Sequence, residues 1–223
     1  SLFFGMFVSV LGYEIGLLLK KKWKLAILNP LLISIIMVML LLLVTGIEYD
    51  SYNESAKYLS YLLTPATVCL SVPLYRELEQ LRRNWKAIIA GSMAGVLTSL
   101  GGVLMLALLF DFTHEQYVTL LPKSITTAIG MGVSQEMGGI VNITVAAIVI
   151  TGILGNMIAE LVCKIFRITE PVAKGLAIGS AAHAIGTTKA MQMGEVEGAI
   201  SSLAIAVSGL ITVVGASIFV NFL

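Results

Sequence analysis

Leu121-Pro122-Lys123-Ser124-Ile125-Thr126-Thr127-Ala128-Ile129-Gly130 and, further along, Gly179-Ser180-Ala181-Ala182-His183-Ala184-Ile185-Gly186-Thr187-Thr188 are the stretches that decide the fold. They sit in segments 121–139 and 175–194, both rich in Gly, Ser and Thr. Each segment is too polar and interrupted for a plain lipid-facing helix, and neither reads as a soluble loop. The segments also resemble each other. A shift of 56 residues aligns Ser124 with Ser180, Ala128-Ile129-Gly130 with Ala184-Ile185-Gly186, and Met137-Gly138 with Met193-Gly194, six identities in fifteen ungapped positions. Small-residue composition inflates such matches, so the surroundings of the two copies must carry the argument.

Outward from them the chain is overwhelmingly apolar. Of 223 residues, 57% are hydrophobic and 12% charged, with a mean hydropathy of +0.95. Soluble domains carry about 25% charged residues. A spanning helix takes about 20 mostly apolar residues. Leu2–Leu19, Ala26–Ile47, Ala87–Phe110, Ile140–Val162 and Ala199–Phe222 meet that standard, and Tyr58–Leu74 is a shorter stretch broken by Pro65 and Pro73. Ser1-Leu2-Phe3-Phe4 has no basic lead and no small-residue cleavage site, so it reads as the start of a span rather than a signal peptide.

Basic residues set the orientation. Lys20, Lys21, Lys22 and Lys24, then Arg76, Arg82, Arg83 and Lys86, then Lys164, Arg167 and Lys174 follow alternate spans. The opposite connections carry Glu48, Asp50, Glu54, Asp111 and Glu115, with Lys57 and Lys123 as their only basic residues. By the positive-inside rule the basic ends are cytoplasmic. Segment 121–139 then starts and ends outside, and 175–194 starts and ends inside. The expected fold is all-α: a polytopic membrane protein with inverted repeats and two re-entrant or discontinuous helices. Irregular backbone at membrane depth needs protein or a water-filled cavity around it. Interrupted helices at matching places in inverted repeats point to the binding site of a secondary transporter; the bland alternative is a pair of Gly-rich packing segments.

Pro122 suits a first helical turn, and Ser124, Thr126 and Thr127 place hydroxyls beside free backbone N–H groups. A helix N-terminus favours a carboxylate, and Lys123 either adds a full charge or snorkels to the interface. In the second copy His183 aligns with Thr127. An ionisable group in the membrane is a functional hypothesis by default; the alternative is a neutral imidazole bonded to a backbone carbonyl. The residues expected to hold a small organic anion are Lys123, Ser124, Thr126, Thr127 and Gly130, with Ser180, His183, Gly186, Thr187 and Thr188.

The remaining polar residues carry less. Asn142 and Asn156 line a path or bond a neighbouring helix, and Gly91-Ser92-Met93-Ala94-Gly95 permits close helix contact. Cys69 and Cys163 lie far apart in apolar stretches and read as buried small hydrophobes. The sequence has no HExxH, CxxC or phosphate loop, so no enzyme, metal or cofactor is expected. A net charge of +1 gives no nucleic-acid surface.

Asn29-Pro30-Leu31-Leu32-Ile33-Ser34, Leu63-Thr64-Pro65-Ala66-Thr67-Val68, Leu121-Pro122-Lys123-Ser124-Ile125-Thr126-Thr127 and Ser180-Ala181-Ala182-His183-Ala184-Ile185-Gly186-Thr187 keep the order of motifs in the LrgB/CidB family, which the chain resembles over nearly its whole length. That family's third motif continues Thr-Thr-Pro, and here Ala128 stands in place of the proline. The resemblance implies two descriptions. One is an antiholin-like protein, paired with a small LrgA/CidA-like membrane partner and linked to murein hydrolase activity and lysis. The other is a carrier of small monocarboxylates of the pyruvate, lactate, glycolate or glycerate type. The expected layout is one LrgB-like transmembrane domain, residues 1–57 a scaffold and 58–223 a transport core, in a homodimer in the cell (inner) membrane.

Overall fold

A computed structural model of the chain describes residues 3–23, 28–62, 65, 68–69, 71–76 and 78–223, and every regular element among them is helical. The chain divides into two units, residues 1–69 and 70–223.

In the first unit α1 (Phe4–Trp23) and α2 (Pro30–Thr45) pack together, and α3 (Tyr49–Ala56) folds back on the start of α1. Asn29-Pro30 starts α2 for a plain reason. The Asn29 side chain accepts from the N–H groups of Leu31 and Leu32 at 2.9 and 3.4 Å, and Pro30 has no N–H to leave unpaired. Gly5, Gly12 and Gly16 form the buried face of α1. A Cβ at Gly16 would lie 2.7 Å from Pro30 Cα, so the two helices meet backbone to backbone. Hydroxyls close the remaining polar groups: Ser34 donates to the Ser9 carbonyl at 2.9 Å, and the Gly5 N–H donates to Ser55 Oγ at 2.7 Å. A short 3-10 turn (Lys57–Leu62) follows. Within the expected Tyr58–Leu74 span Leu63, Thr64, Ala66, Thr67 and Leu70 lie outside the described residues, as do Leu2 and Ala26.

The second unit contains α4 (Ser71–Arg76), α5 (Leu78–Leu109), α6 (His114–Leu120), α7 (Thr127–Glu136), α8 (Val141–Ile165), α9 (Pro171–Met193) and α10 (Glu195–Phe219). Among the described residues three helices are long and apolar enough to cross a membrane: Arg82–Leu109, Val141–Ile165 and Glu195–Phe222. Helix α8 shows how the solvent inverts the usual pattern. Its exposed face carries Ile143, Ile150, Leu154, Ile158 and Leu161, while Thr144, Gly152, Asn156 and Ala159 are buried. Large apolar side chains face outward, where lipid is the solvent, and small or polar ones face inward, where backbones approach. The protein is therefore an all-helical polytopic membrane protein.

Between the long helices lie two helical hairpins. Helix α9 breaks at His183, whose backbone (φ 41, ψ −142) is non-helical. Its first limb, 171–182, runs alongside α10 in the same direction: Gly175 faces the Glu197 carbonyl and Ile200, and Gly179 faces the Ser201 carbonyl and Ala204. Its second limb, 184–193, runs back: Thr187 Oγ1 meets Ser201 Oγ at 2.7 Å, and Met191 packs on Gly198. The first hairpin is built from α6, a turn over 121–126, and α7. Tyr117 near its entrance donates to the Phe219 carbonyl at 2.8 Å, its turn reaches Ser99 on α5, and α7 returns past Ile148 and Thr144 to a turn at Gly138 (φ 78), where Gly139 faces Thr119.

The hairpins enter from opposite ends. The first opens toward the acidic connections. The base of the second carries Lys164, Arg167 and Lys174, the basic connections. The ends of α5 and α8 (Leu109, Ile165), the starts of α6 and α9 (His114, Pro171) and the ends of α7 and α9 (Glu136, Met193) each lie within one residue of a 56-residue offset. The inverted repeat is thus present as structure: a long helix, a hairpin and a long helix, twice, with α8 common to both.

Candidate functional site

At about 1.5 Å per residue, Ser99 lies about 15 Å from the end of α5 and Ile148 about 10 Å from the start of α8. Each is touched by a hairpin tip. Both depths fall near the middle of a hydrocarbon core of about 30 Å.

The first tip carries a cation among hydroxyls. Lys123 Nζ donates to Ser124 Oγ at 3.0 Å and to Ser99 Oγ at 3.3 Å, and the Ser99 hydroxyl donates to Ser124 at 3.0 Å. Among the described residues no carboxylate lies within ion-pair distance of Lys123. Two residues later Thr126 stands at the N-cap of α7, and its side chain makes no cap bond. The helix therefore begins with free N–H groups within a few residues of the ammonium.

The second tip is a strained turn held from outside. A carbonyl only accepts, so His183 Nε2 carries the proton and donates to the Ile148 carbonyl at 3.0 Å. The Ile148 side chain meanwhile packs where a Cβ on Gly130 would sit. One residue of α8 thus contacts both hairpins. Asn156 Nδ2 donates to the Ile185 carbonyl at 2.8 Å and to Thr188 Oγ1 at 3.0 Å, and Lys189 pairs with Glu160 at 2.7 Å. Asn156 bonds a neighbouring element, the second of its two sequence readings.

A cavity of about 860 Å³ runs between α5, α8 and the first limb of α9. Its wall includes Lys123 and Ser124 from one tip, Ser180 and Ala181 from the other, and Ser99, Thr98 and Thr151 from the long helices. Among the described residues Lys123 is the one charged residue on that wall. Gly91 and Gly95, the close-contact pair of α5, face Leu176 and Ser180 along it.

Of the ten residues expected at the site, this cavity gathers Lys123, Ser124 and Ser180. Thr126 and Thr127 are half-buried at the start of α7, off the wall. Gly130 and Gly186 are buried where a side chain would strike Ile148 and Ala182. His183 and Thr187 are buried in the bonds that shape the second hairpin, and Thr188 is exposed with its hydroxyl on the Ile185 carbonyl at 2.7 Å. Ser99, Thr98 and Thr151 were missed because each sits on a helix that reads as a membrane span. The available signal was the row Gly95, Thr98, Ser99 and Gly102 on one face of α5. Cys163 is buried as expected, whereas Cys69 is exposed.

The family model described as LrgB-like matches residues 9–222 of the chain. The chain belongs to the LrgB-like family. Relatives named Antiholin-like protein LrgB from Bacillus mycoides (strain KBAB4), Bacillus cereus (strain B4264) and Bacillus anthracis (strain CDC 684 / NRRL 3495) are each 34% identical over 222 residues, covering 99% of this chain and 96% of theirs. No solved structure matches the chain. Three of the four motifs that carried the LrgB resemblance now have structural roles, and most of the fourth, 63–68, lies outside the described residues. Asn29-Pro30 caps a helix, 121–127 forms the first tip, and 180–187 forms the second. Ala128 follows Thr127 in the first turn of α7, a place that accepts proline or alanine alike because its N–H has no helical partner.

Proposed function

We propose that this LrgB-like protein is a secondary transporter that moves a small monocarboxylate, of the pyruvate, lactate, glycolate or glycerate type, across the cell (inner) membrane by alternating access. One observation carries the proposal: hairpins entering from opposite faces bring Lys123, Ser124 and Ser180 to a single cavity whose only charged group among the described lining residues is one ammonium. A site with one uncompensated cation and convergent hydroxyls suits one carboxylate, with a neighbouring hydroxyl or oxo group taking the remaining donors. Matching interrupted helices in inverted repeats are the transporter pattern. We further propose proton coupling, a homodimer built on residues 1–57, and an elevator-like excursion of the core, 58–223.

The second reading rests on the relatives' name. An antiholin-like regulator of murein hydrolase activity would act through a small LrgA/CidA-like partner, with helix faces rather than hairpin tips as its working parts. The deciding experiment is uptake of labelled pyruvate, lactate and glycolate into proteoliposomes, with and without a proton gradient, for the parent, Lys123→Met and Ser124→Ala. Saturable parental uptake that both variants impair is the expected result. Folded parent protein that moves none of the acids would overturn the transporter and leave the antiholin-like reading.

A further inference from the structure

A second cavity, of about 520 Å³, lies at the base of the second hairpin, walled by Lys164, Arg167 and Lys174 together with Glu160, Cys163 and Met193. Its electrostatics are one-sided. Among the described residues Glu160 is the one carboxylate on the wall and is already taken by Lys189 at 2.7 Å, and Lys174 has only a long contact to Glu197, 3.8 Å. Among the described residues Lys164 and Arg167 have no acidic partner within ion-pair distance. Three cations and one carboxylate among the described residues line this concave space, and that carboxylate is neutralised by Lys189. The arginine brings a planar fork of donors suited to phosphate oxygens. Beside the cations around the end of α8, Leu161, Ile165 and Phe166 are 57%, 64% and 72% exposed. A cationic hollow edged by bare apolar side chains, at the depth where a spanning helix ends, has the two-part chemistry of a phospholipid.

We infer that this cavity binds the phosphate of an anionic membrane lipid, with the acyl chains laid along Leu161, Ile165 and Phe166. The position gives the lipid a consequence. Lys174 belongs to the first limb of the hairpin, Met193 ends the second, and Lys164 and Arg167 lie at the end of α8. A bound headgroup therefore ties the hairpin base to α8 and strengthens the closed pair of limbs. The inference stands on charge and exposure and is independent of what the other cavity carries.

The test uses the full chain in detergent, as parent and as Lys164→Gln/Arg167→Gln, two exposed positions outside the packed interior. Native mass spectrometry and thermal unfolding are followed with phosphatidylglycerol, phosphatidylcholine or inorganic phosphate added. Phosphatidylglycerol should stay bound to the parent and raise its Tm by several degrees. Phosphatidylcholine should not, and the double variant should lose the shift while unfolding at the parental temperature without lipid. Equal effects of the two lipids, or an undiminished shift in the double variant, would overturn the site. A full shift from inorganic phosphate alone would overturn the lipid assignment in favour of a soluble phosphate ligand.

Discussion

Lys123 shares its surroundings with Ser99 and Ser124 rather than with a carboxylate. A charge kept in that state near mid-membrane is costly, and an anion brought alongside it recovers the cost. A hydrogen bond to a charged group is worth about 1.5–3 kcal/mol. Lys123→Met should therefore raise the KM for the transported acid about tenfold to a hundredfold, measured as initial uptake rates against concentration. Ser99→Ala, which removes one donor and leaves the ammonium, should cost less. Equal KM values in all three proteins would take the site away from the first tip. His183 makes a separate residue-scale case. A non-glycine residue at φ 41, ψ −142 carries strain of about 1–3 kcal/mol, here opposed by its bond to Ile148. In an ordinary helix interior alanine is more stable than glycine by about 1 kcal/mol. At position 183 the order should invert, with His183→Gly unfolding at a higher temperature than His183→Ala. The usual order would show that the turn relaxes when the imidazole is lost.

At the scale of elements, the second hairpin owes its closeness to α10 to missing side chains. A Cβ at Gly175 would lie 2.5 Å from the Glu197 carbonyl oxygen and 2.9 Å from Ile200 Cβ, backbone and branched carbon that yield poorly. Gly175→Ala should cost about 1–3 kcal/mol, the range for overpacking a filled interior. Gly101 on α5 faces open space, so Gly101→Ala should instead add about 0.5–1 kcal/mol through helix propensity. Thermal unfolding of both variants checks the pair, and a stability gain at 175 would mean the limbs are looser than described. The hairpins were legible in the sequence because charge placement fixed the ends of 121–139 and 175–194, and the 56-residue likeness tied one to the other. The reversal at His183 was not. It falls in Ala182-His183-Ala184, with neither Pro nor Gly at the turn, and is secured by Ile148, 35 residues away in sequence. Nor could the sequence tell which polar tip residues face a cavity and which cap or brace a helix. Thr187 and Thr126 look alike as letters and differ only through Ser201 and the start of α7.

For the whole molecule, every described residue that lines the larger cavity belongs to the 70–223 unit. Under the proposed transport, a site held within one unit lets that unit travel with its cargo, whereas a site exposed by hairpin opening requires relative motion inside it. The two mechanisms differ at one contact. Lys189 on the returning limb and Glu160 on α8 stand 2.7 Å apart, and hairpin opening must separate them while an elevator excursion leaves them together. With Cys69→Ser and Cys163→Ala removing the native thiols, Glu160→Cys and Lys189→Cys joined by a short bis-maleimide should transport as well as the same protein left unlinked. The measurement is uptake into proteoliposomes before and after linking, with the linked fraction read by mass spectrometry. Uptake that disappears with linking and returns when a cleavable linker is cut would reject the elevator and make the second hairpin the gate. A hairpin gate would also enlarge the part played by the braces around it. Asn156, with its bonds to the Ile185 carbonyl and Thr188, would then set how often that hairpin opens. Asn156→Leu would raise transport turnover under a gate and only lower stability under an elevator.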